Sequence, residues 1–177
     1  MGSKASDFKL LNVDGEYVSL SDFEDTKGFI LIFSCNHCPY VKAYEQRMIE
    51  IHNKFAEKGY PIIAINSNDS TVQPADSYSK MISNANEKNF PFVYLLDNNH
   101  EVQEKFGAQR TPHIYLLQKV KKDLIVKYIG TIDDSPMKPD EVKEKYLENA
   151  LLALLDGKQP DPNYTKAIGC SIKKKKE

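Results

Sequence analysis

Phe29-Ile30-Leu31-Ile32-Phe33-Ser34-Cys35-Asn36-His37-Cys38-Pro39 decides how this 177-residue chain is read. Its first half is apolar, aromatic and β-branched, as a strand buried on both faces requires. Its second half opens a helical pattern over 36–58, in which Tyr40, Val41, Tyr44, Met48, Ile51 and Phe55 share one side and Gly59 ends the run. Pro39 falls in the first turn, where the missing N–H costs nothing. A C-x-x-C at a strand-to-helix junction is a redox site more often than a metal site. Cys35 is expected at the helix start, where unpaired N–H groups and the dipole favour a thiolate. Cys38 is expected one turn inside, semi-buried, close enough to resolve a mixed disulfide. The competing reading is a zinc half-site, and no second C-x-x-C or H-x-x-x-H supplies the remaining ligands.

Working outward, residues 61–66 form a second buried run and 74–88 a helical one, with Tyr78, Met81, Ile82 and Ala85 inward. A short strand is predicted over 93–96 and a brief helix over 101–106, stopped by Gly107. Apolar runs at 113–118 and 124–130 flank Lys121-Lys122-Asp123 as a hairpin. An amphipathic helix is predicted over 139–156, with Val142, Tyr146, Leu147, Ala150, Leu151 and Leu154 on one face. Upstream, 8–12 and 16–20 are extended runs around Asp14-Gly15, a turn signal, and Ser21 or Asp22 can cap a short helical turn. The order β-hairpin, β, α, β, α, β, α, β, β, α argues an α/β domain with a mostly parallel sheet covered on both faces. One domain is expected over 1–160, with a C-terminal tail over 161–177.

Composition narrows the function classes. The formal net charge is −1, which argues against a nucleic-acid partner. Of 24 basic residues only Arg47 and Arg110 are arginine, few for a phosphate-binding surface. Three cysteines describe a reactive pair plus one remote thiol, Cys170, rather than a disulfide framework. No apolar run has the length of a membrane span. Met1-Gly2-Ser3-Lys4 has no apolar signal core, so a cytoplasmic protein is expected unless a signal has been removed.

C-x-x-C at the first strand-to-helix junction, with Thr111-Pro112 before the closing hairpin, resembles the thioredoxin fold. The opening Ala5-Ser6-Asp7-Phe8-Lys9-Leu10 through Asp14-Gly15 and Ser19-Leu20 resembles the redoxin branch. That branch contains peroxiredoxins and thiol-disulfide reductases. Residues 67–97 supply the helix–strand insertion that the branch carries. Five segments are similar to thioredoxin-like redoxins related to alkyl hydroperoxide reductase and thiol-specific antioxidant: Cys35 to Val41, Ile65-Asn66-Ser67-Asn68-Asp69, Thr111-Pro112-His113, Ile132-Asp133-Asp134-Ser135 and Gly169-Cys170-Ser171-Ile172-Lys173.

The resemblance implies a thiol-disulfide oxidoreductase with Cys35 attacking and Cys38 resolving. It implies no cofactor beyond the disulfide they form. Its partners would be protein or small-molecule disulfides and thiols, plus a reductant or oxidant. Pro112 takes the place of the cis-proline facing the disulfide, an isomer rarely adopted by accident. Thr111 is then placed to pair with an extended substrate chain. Gly130 to Asp134, with Asp133 and Asp134 at its end, matches a loop bordering the site. His37 and Asn36 lie between the cysteines. A His there is expected to stabilise the thiolate and make the pair more oxidising, whereas Asn36 is expected to be merely tolerated. The buried acid of many thioredoxins has no counterpart in the apolar strand; Asp133, Asp134 and Glu45 are expected in structural or surface roles. Arg110 lies beside the groove or on the surface. His113 reads as a hydrogen-bonded edge-strand residue. Cys170 reads as a buried small hydrophobe or a thiol exchanging with Cys35, and Lys173–Lys176 as a solvated tail. Two alternatives stay open. One is a peroxidase, with Cys38 reacting and Cys35 replacing the usual Thr. The other is a copper-delivery module using Cys35, Cys38, His37 and His113.

Overall fold

The computed structural model describes residues 1–175. Lys176, the end of the expected solvated tail, lies outside the described residues together with Glu177. The strand that precedes the cysteines runs over Gly28–Ser34 and is buried along its whole length. Counting along the chain it is β4, after β1 (Lys4–Ala5), β2 (Lys9–Asn12) and β3 (Tyr17–Ser19). Then follow α1 (Pro39–Phe55), β5 (Ile62–Asn66), α2 (Tyr78–Glu87), β6 (Val93–Leu96) and α3 (Glu101–Phe106). The chain closes with β7 (Arg110–Thr111), β8 (His113–Val120), β9 (Asp123–Gly130), α4 (Tyr146–Leu155) and β10 (Cys170–Ser171).

Eight strands form one sheet in the order β1-β9-β8-β4-β5-β6-β2-β3, and β7 pairs with β10 apart from it. Only β4/β5 and β5/β6 are parallel. The sheet is therefore mixed rather than mostly parallel. The short connections of the β2/β3 and β8/β9 hairpins allow only antiparallel pairing. The inserted strand β6 provides the edge on which the N-terminal hairpin docks through β2.

Side chains alternate across the sheet, as the strand period dictates. Ile30, Ile32, Ile62, Ala64 and Leu116 meet Tyr44, Met48, Phe55, Met81, Leu147 and Leu151 of α1, α2 and α4 on one face. Phe29, Leu31, Phe33, Ile63, Ile65 and Leu117 meet Val102 and Ala108 on the other.

Three helix boundaries depart from the periodicity. α1 starts at Pro39, not residue 36, because the N–H groups of Asn36 and His37 are captured by the Asp76 carboxylate. Residues Pro74–Asp76 form a separate 3-10 turn before α2. α4 starts at Tyr146, not 139. Asp134 holds the preceding segment extended, accepting from the Lys143 N–H and donating its own N–H to the Glu144 carbonyl.

The segment expected as a tail beyond residue 160 returns across the domain. Thr165 N–H donates to Ile129 O, Thr131 N–H donates to Thr165 Oγ1, and β10 lies against β7. Lys173, expected to be solvated, donates its N–H to Asn68 Oδ1 and accepts from Asp69 N–H. No helix of the described residues is long and apolar enough to cross a membrane.

Candidate active site

The sheet delivers Cys35 one residue past the end of β4, and Cys38 is the N-cap of α1 with Pro39 at its first position. Both sulfurs are buried, Cys35 at 1% and Cys38 at 0% exposure. Cys35 therefore stands just before the helix start, and Cys38 stands at it. The late start of α1 places Cys38 at its N-cap, where the Val41 N–H is the one helix amide that acts on the sulfur. The Cys38 thiol is drawn down to about 4 by a hydrogen bond from Cys35, with the Cys170 thiol and the Val41 N–H adding to it against the cost of burial. Cys35 moves the other way, held protonated by its bond to Cys38, by burial and by the negative charge of Asp76.

The Thr111–Pro112 bond is cis. It presents Thr111 to both sulfurs. The Thr111 hydroxyl is 3.4 Å from Cys35 Sγ, and the Thr111 carbonyl oxygen lies 3.2 Å from Cys38 Sγ. On the opposite strand Cys170 faces Thr111, with its Sγ 2.6 Å from Cys38 Sγ. Burial and the neighbouring Cys38 push the Cys170 thiol up to about 11.

Asp76, fully buried, is the residue that sequence reasoning missed. Its Oδ1 accepts from the N–H groups of Asn36 (2.7 Å) and His37 (3.1 Å). Its Oδ2 lies 2.5 Å from His37 Nδ1 and accepts from Asn68 Nδ2 at 2.6 Å. A buried carboxylate is tolerable only when its lone pairs are used in this way. The available signal was the polar run Asn66-Ser67-Asn68-Asp69 at the end of a buried strand. Asn66 and Asn68 are buried there, and Asn66 Nδ2 donates to Asp76 O.

Asn36, expected to be merely tolerated, is buried and built in. Its Nδ2 donates to Ala75 O, and its Oδ1 accepts from the Tyr94 hydroxyl at 2.9 Å. Burial and the surrounding acidic groups drive that phenol well above its ordinary range.

Other sequence-derived candidates serve the frame instead. At Gly130, a Cβ would meet Thr165 Oγ1 at 2.0 Å, so this position seats the returning C-terminal segment. Asp133 is buried against Arg47 Nη1 (2.6 Å) and the Tyr44 hydroxyl (2.9 Å). Asp134 is exposed and ties the segment before α4. Glu45 is buried and bonded to Lys88 and Asn84. Arg110 is exposed and donates to Gly169 O. His113 packs at a tilt of 43° against Tyr115 and accepts from the Gln109 N–H; burial depresses its imidazole to about 4.

The metal-capable donors that do converge are Cys35, His37 and Asp76, all within 4.8 Å of one another. The set differs from the one expected for copper, since Cys38 and His113 are absent from it and Asp76 is added. His37 and Asp76 spend their facing atoms on each other, so a cation would have to replace a 2.5 Å contact.

Residues 1–135 match the AhpC/TSA family, and the chain belongs to that family. Its fold is thioredoxin-like. A crystal structure of an uncharacterized conserved protein from Geobacillus kaustophilus superposes with a TM-score of 0.91 at 37% identity, covering 100% of this chain and 93% of that one. Thiol-disulfide oxidoreductase ResA of Halalkalibacterium halodurans is 29% identical over 67% of this chain, which spans only 62% of that relative. Peroxiredoxin Bcp of Bacillus subtilis is 26% identical over 73% of this chain and 72% of its own length.

Proposed function

We propose that this protein is a thiol-disulfide oxidoreductase whose Cys35–Cys38 pair cycles between dithiol and disulfide. One observation carries the reading. Cys38 sits at the N-terminus of α1 with Cys35 three residues before it, and both sulfurs lie against the Thr111–Pro112 turn. In the reduced state one thiolate rests on Cys38, where Cys35, Cys170 and the Val41 N–H stabilise it, and Cys35 keeps its proton. Substrates are disulfides or thiols of proteins or small molecules, and the ResA relative supports this class. The test is reduction of a disulfide-bonded test protein by the reduced chain. Cys35→Ser and Cys38→Ser are each expected to abolish turnover; activity retained by both variants would refute the assignment.

A second reading, a thiol peroxidase, is favoured by the Cys38-Pro39 pair at the helix terminus and by the Bcp relative. A low-pKa thiolate is the form that attacks peroxide. The two arginines, however, are engaged elsewhere, Arg47 with Asp133 and Arg110 with Gly169. Consumption of hydrogen peroxide at the expense of dithiothreitol, lost in Cys38→Ser, would select this reading over disulfide exchange.

A further inference from the structure

The C-terminal segment occupies the edge expected for a substrate chain. β10 runs antiparallel to β7, with Cys170 opposite Thr111 and Ser171 opposite Arg110. The approach is so close that a Cβ on Gly169 would stand 2.0 Å from Thr111 O. Ties on the far side fix the segment: Ile172 N–H donates to Gln109 O, and Lys173 N–H to Asn68 Oδ1. Cys170 Sγ is thereby held 2.6 Å from Cys38 Sγ, so that Cys38 has a thiol neighbour on the C-terminal segment as well as Cys35. Of the three cysteines, only Cys170 is partly exposed; Cys35 and Cys38 are buried.

We propose that Cys170 is a third redox thiol that exchanges with the Cys35–Cys38 disulfide and serves as the port through which an external dithiol reduces it. The proposal rests on the Cys35–Cys38 reading above.

The exchange balances. The Cys170 thiolate attacks Cys38 Sγ, the Cys38–Cys170 bond forms and the Cys35–Cys38 bond breaks. Cys35 departs and takes up the proton that Cys170 released, with no net change in electrons. An external dithiol then attacks the partly exposed Cys170 Sγ. Cys38 leaves as a thiolate onto the helix terminus, the better leaving group being the more acidic thiol. The second thiol of the reagent attacks the sulfur already bound to Cys170. This releases Cys170 as a thiol and the reagent as its cyclic disulfide. Two electrons have then passed from the reagent to the protein.

The experiment uses diamide as oxidant, dithiothreitol as reductant and peptide mapping as readout. Cys35→Ser treated with diamide should yield a Cys38–Cys170 linked peptide. The disulfide of Cys170→Ser should be reduced by dithiothreitol at least about tenfold more slowly than that of the parent protein, because the exposed sulfur is gone. Free Cys38 and Cys170 in diamide-treated Cys35→Ser, or an unchanged reduction rate in Cys170→Ser, would overturn the proposal. Should Cys35→Ser fail to fold, mapping of the partly oxidised parent decides in its place: both Cys35–Cys38 and Cys38–Cys170 peptides support the relay, and Cys35–Cys38 alone refutes it. If Cys170→Ser forms no Cys35–Cys38 bond, the failure lies with the dithiol reading itself, which the same control reveals.

Discussion

Two buried carboxylates flank α1 and are used in opposite ways. Asp133 meets the guanidinium of Arg47, whose carbon also lies 4.0 Å from the Tyr44 ring centroid, and further Arg47 bonds go to Ala43, Ser135 and Pro136 carbonyls. A guanidinium never loses its proton in a protein, and its planar fork fixes geometry. That corner is a lock. Asp76 meets the imidazole of His37 and the two amides that precede α1, and Cys35 lies within 4.8 Å of the pair. An imidazole can donate or accept at either ring nitrogen. The same device, a satisfied buried carboxylate, ties down a guanidinium on one flank and stands beside the cysteine pair on the other. Burial alone does not mark a functional acid; the chemistry of its partner does.

The largest expected effects come from breaking each corner in turn. Asp133→Ala leaves Arg47 buried without its counter-ion and is expected to cost about 3–5 kcal/mol in urea unfolding. The disulfide-exchange rate per folded molecule should stay unchanged. Asp76→Ala leaves the Asn36 and His37 amides and Asn68 Nδ2 without acceptors, and a stability loss of about 3–5 kcal/mol is again expected. Here the exchange rate of the folded fraction should fall too. Equal loss of exchange in both variants would erase the contrast.

A half-buried titratable ring whose shift comes from burial alone sharpens the comparison. His113 has its imidazole depressed to about 4 by burial. The unfolded chain, with an ordinary His value of about 6.5, binds the proton first as pH falls. Its contribution is therefore fully present above about pH 6.5 and is lost as pH drops toward 4, by at most roughly 3 kcal/mol. His113→Gln should flatten that part of the stability–pH profile. An identical slope in the two proteins would show that His113 is not buried in its neutral form.

The smallest effect separates the two flanks by potential. His37 lies beside Cys35, and its removal should destabilise the reduced form. His37→Ala is expected to lower the reduction potential by about 30 mV, equivalent to roughly 1.4 kcal/mol for two electrons. Arg47→Met should leave the potential in place while lowering stability. A shift in Arg47→Met matching that of His37→Ala would remove the distinction between lock and coupled corner.

The sequence made some of this legible. β4, β5, β8 and β9 stand out as apolar runs because buried strands need little else. C-x-x-C and Thr-Pro mark the corner where they converge. The start of α1 was not legible, because Pro39 is compatible with a helix start on either side of it. The deciding contact comes from Asp76, 40 residues away in the 3-10 turn before α2. Periodicity sees only local spacing, so it overlooked Asp76. It also read 139–156 as one helix, since nothing local shows that Asp134 holds Lys143 and Glu144 extended. Cys170 sits in a polar stretch with a two-residue strand, too short for any alternation to appear. Its neighbour Gly169 was the readable hint of a close backbone approach.

The central claim is that Cys35 and Cys38 form one redox couple. Its most direct test is a thiol-trapping titration of Cys170→Ser across dithiothreitol buffers of graded poise. The account predicts a single reversible two-electron transition in which Cys35 and Cys38 protect each other from alkylation and map as one linked peptide. Two independently alkylated thiols at every poise, with no linked peptide, would contradict it.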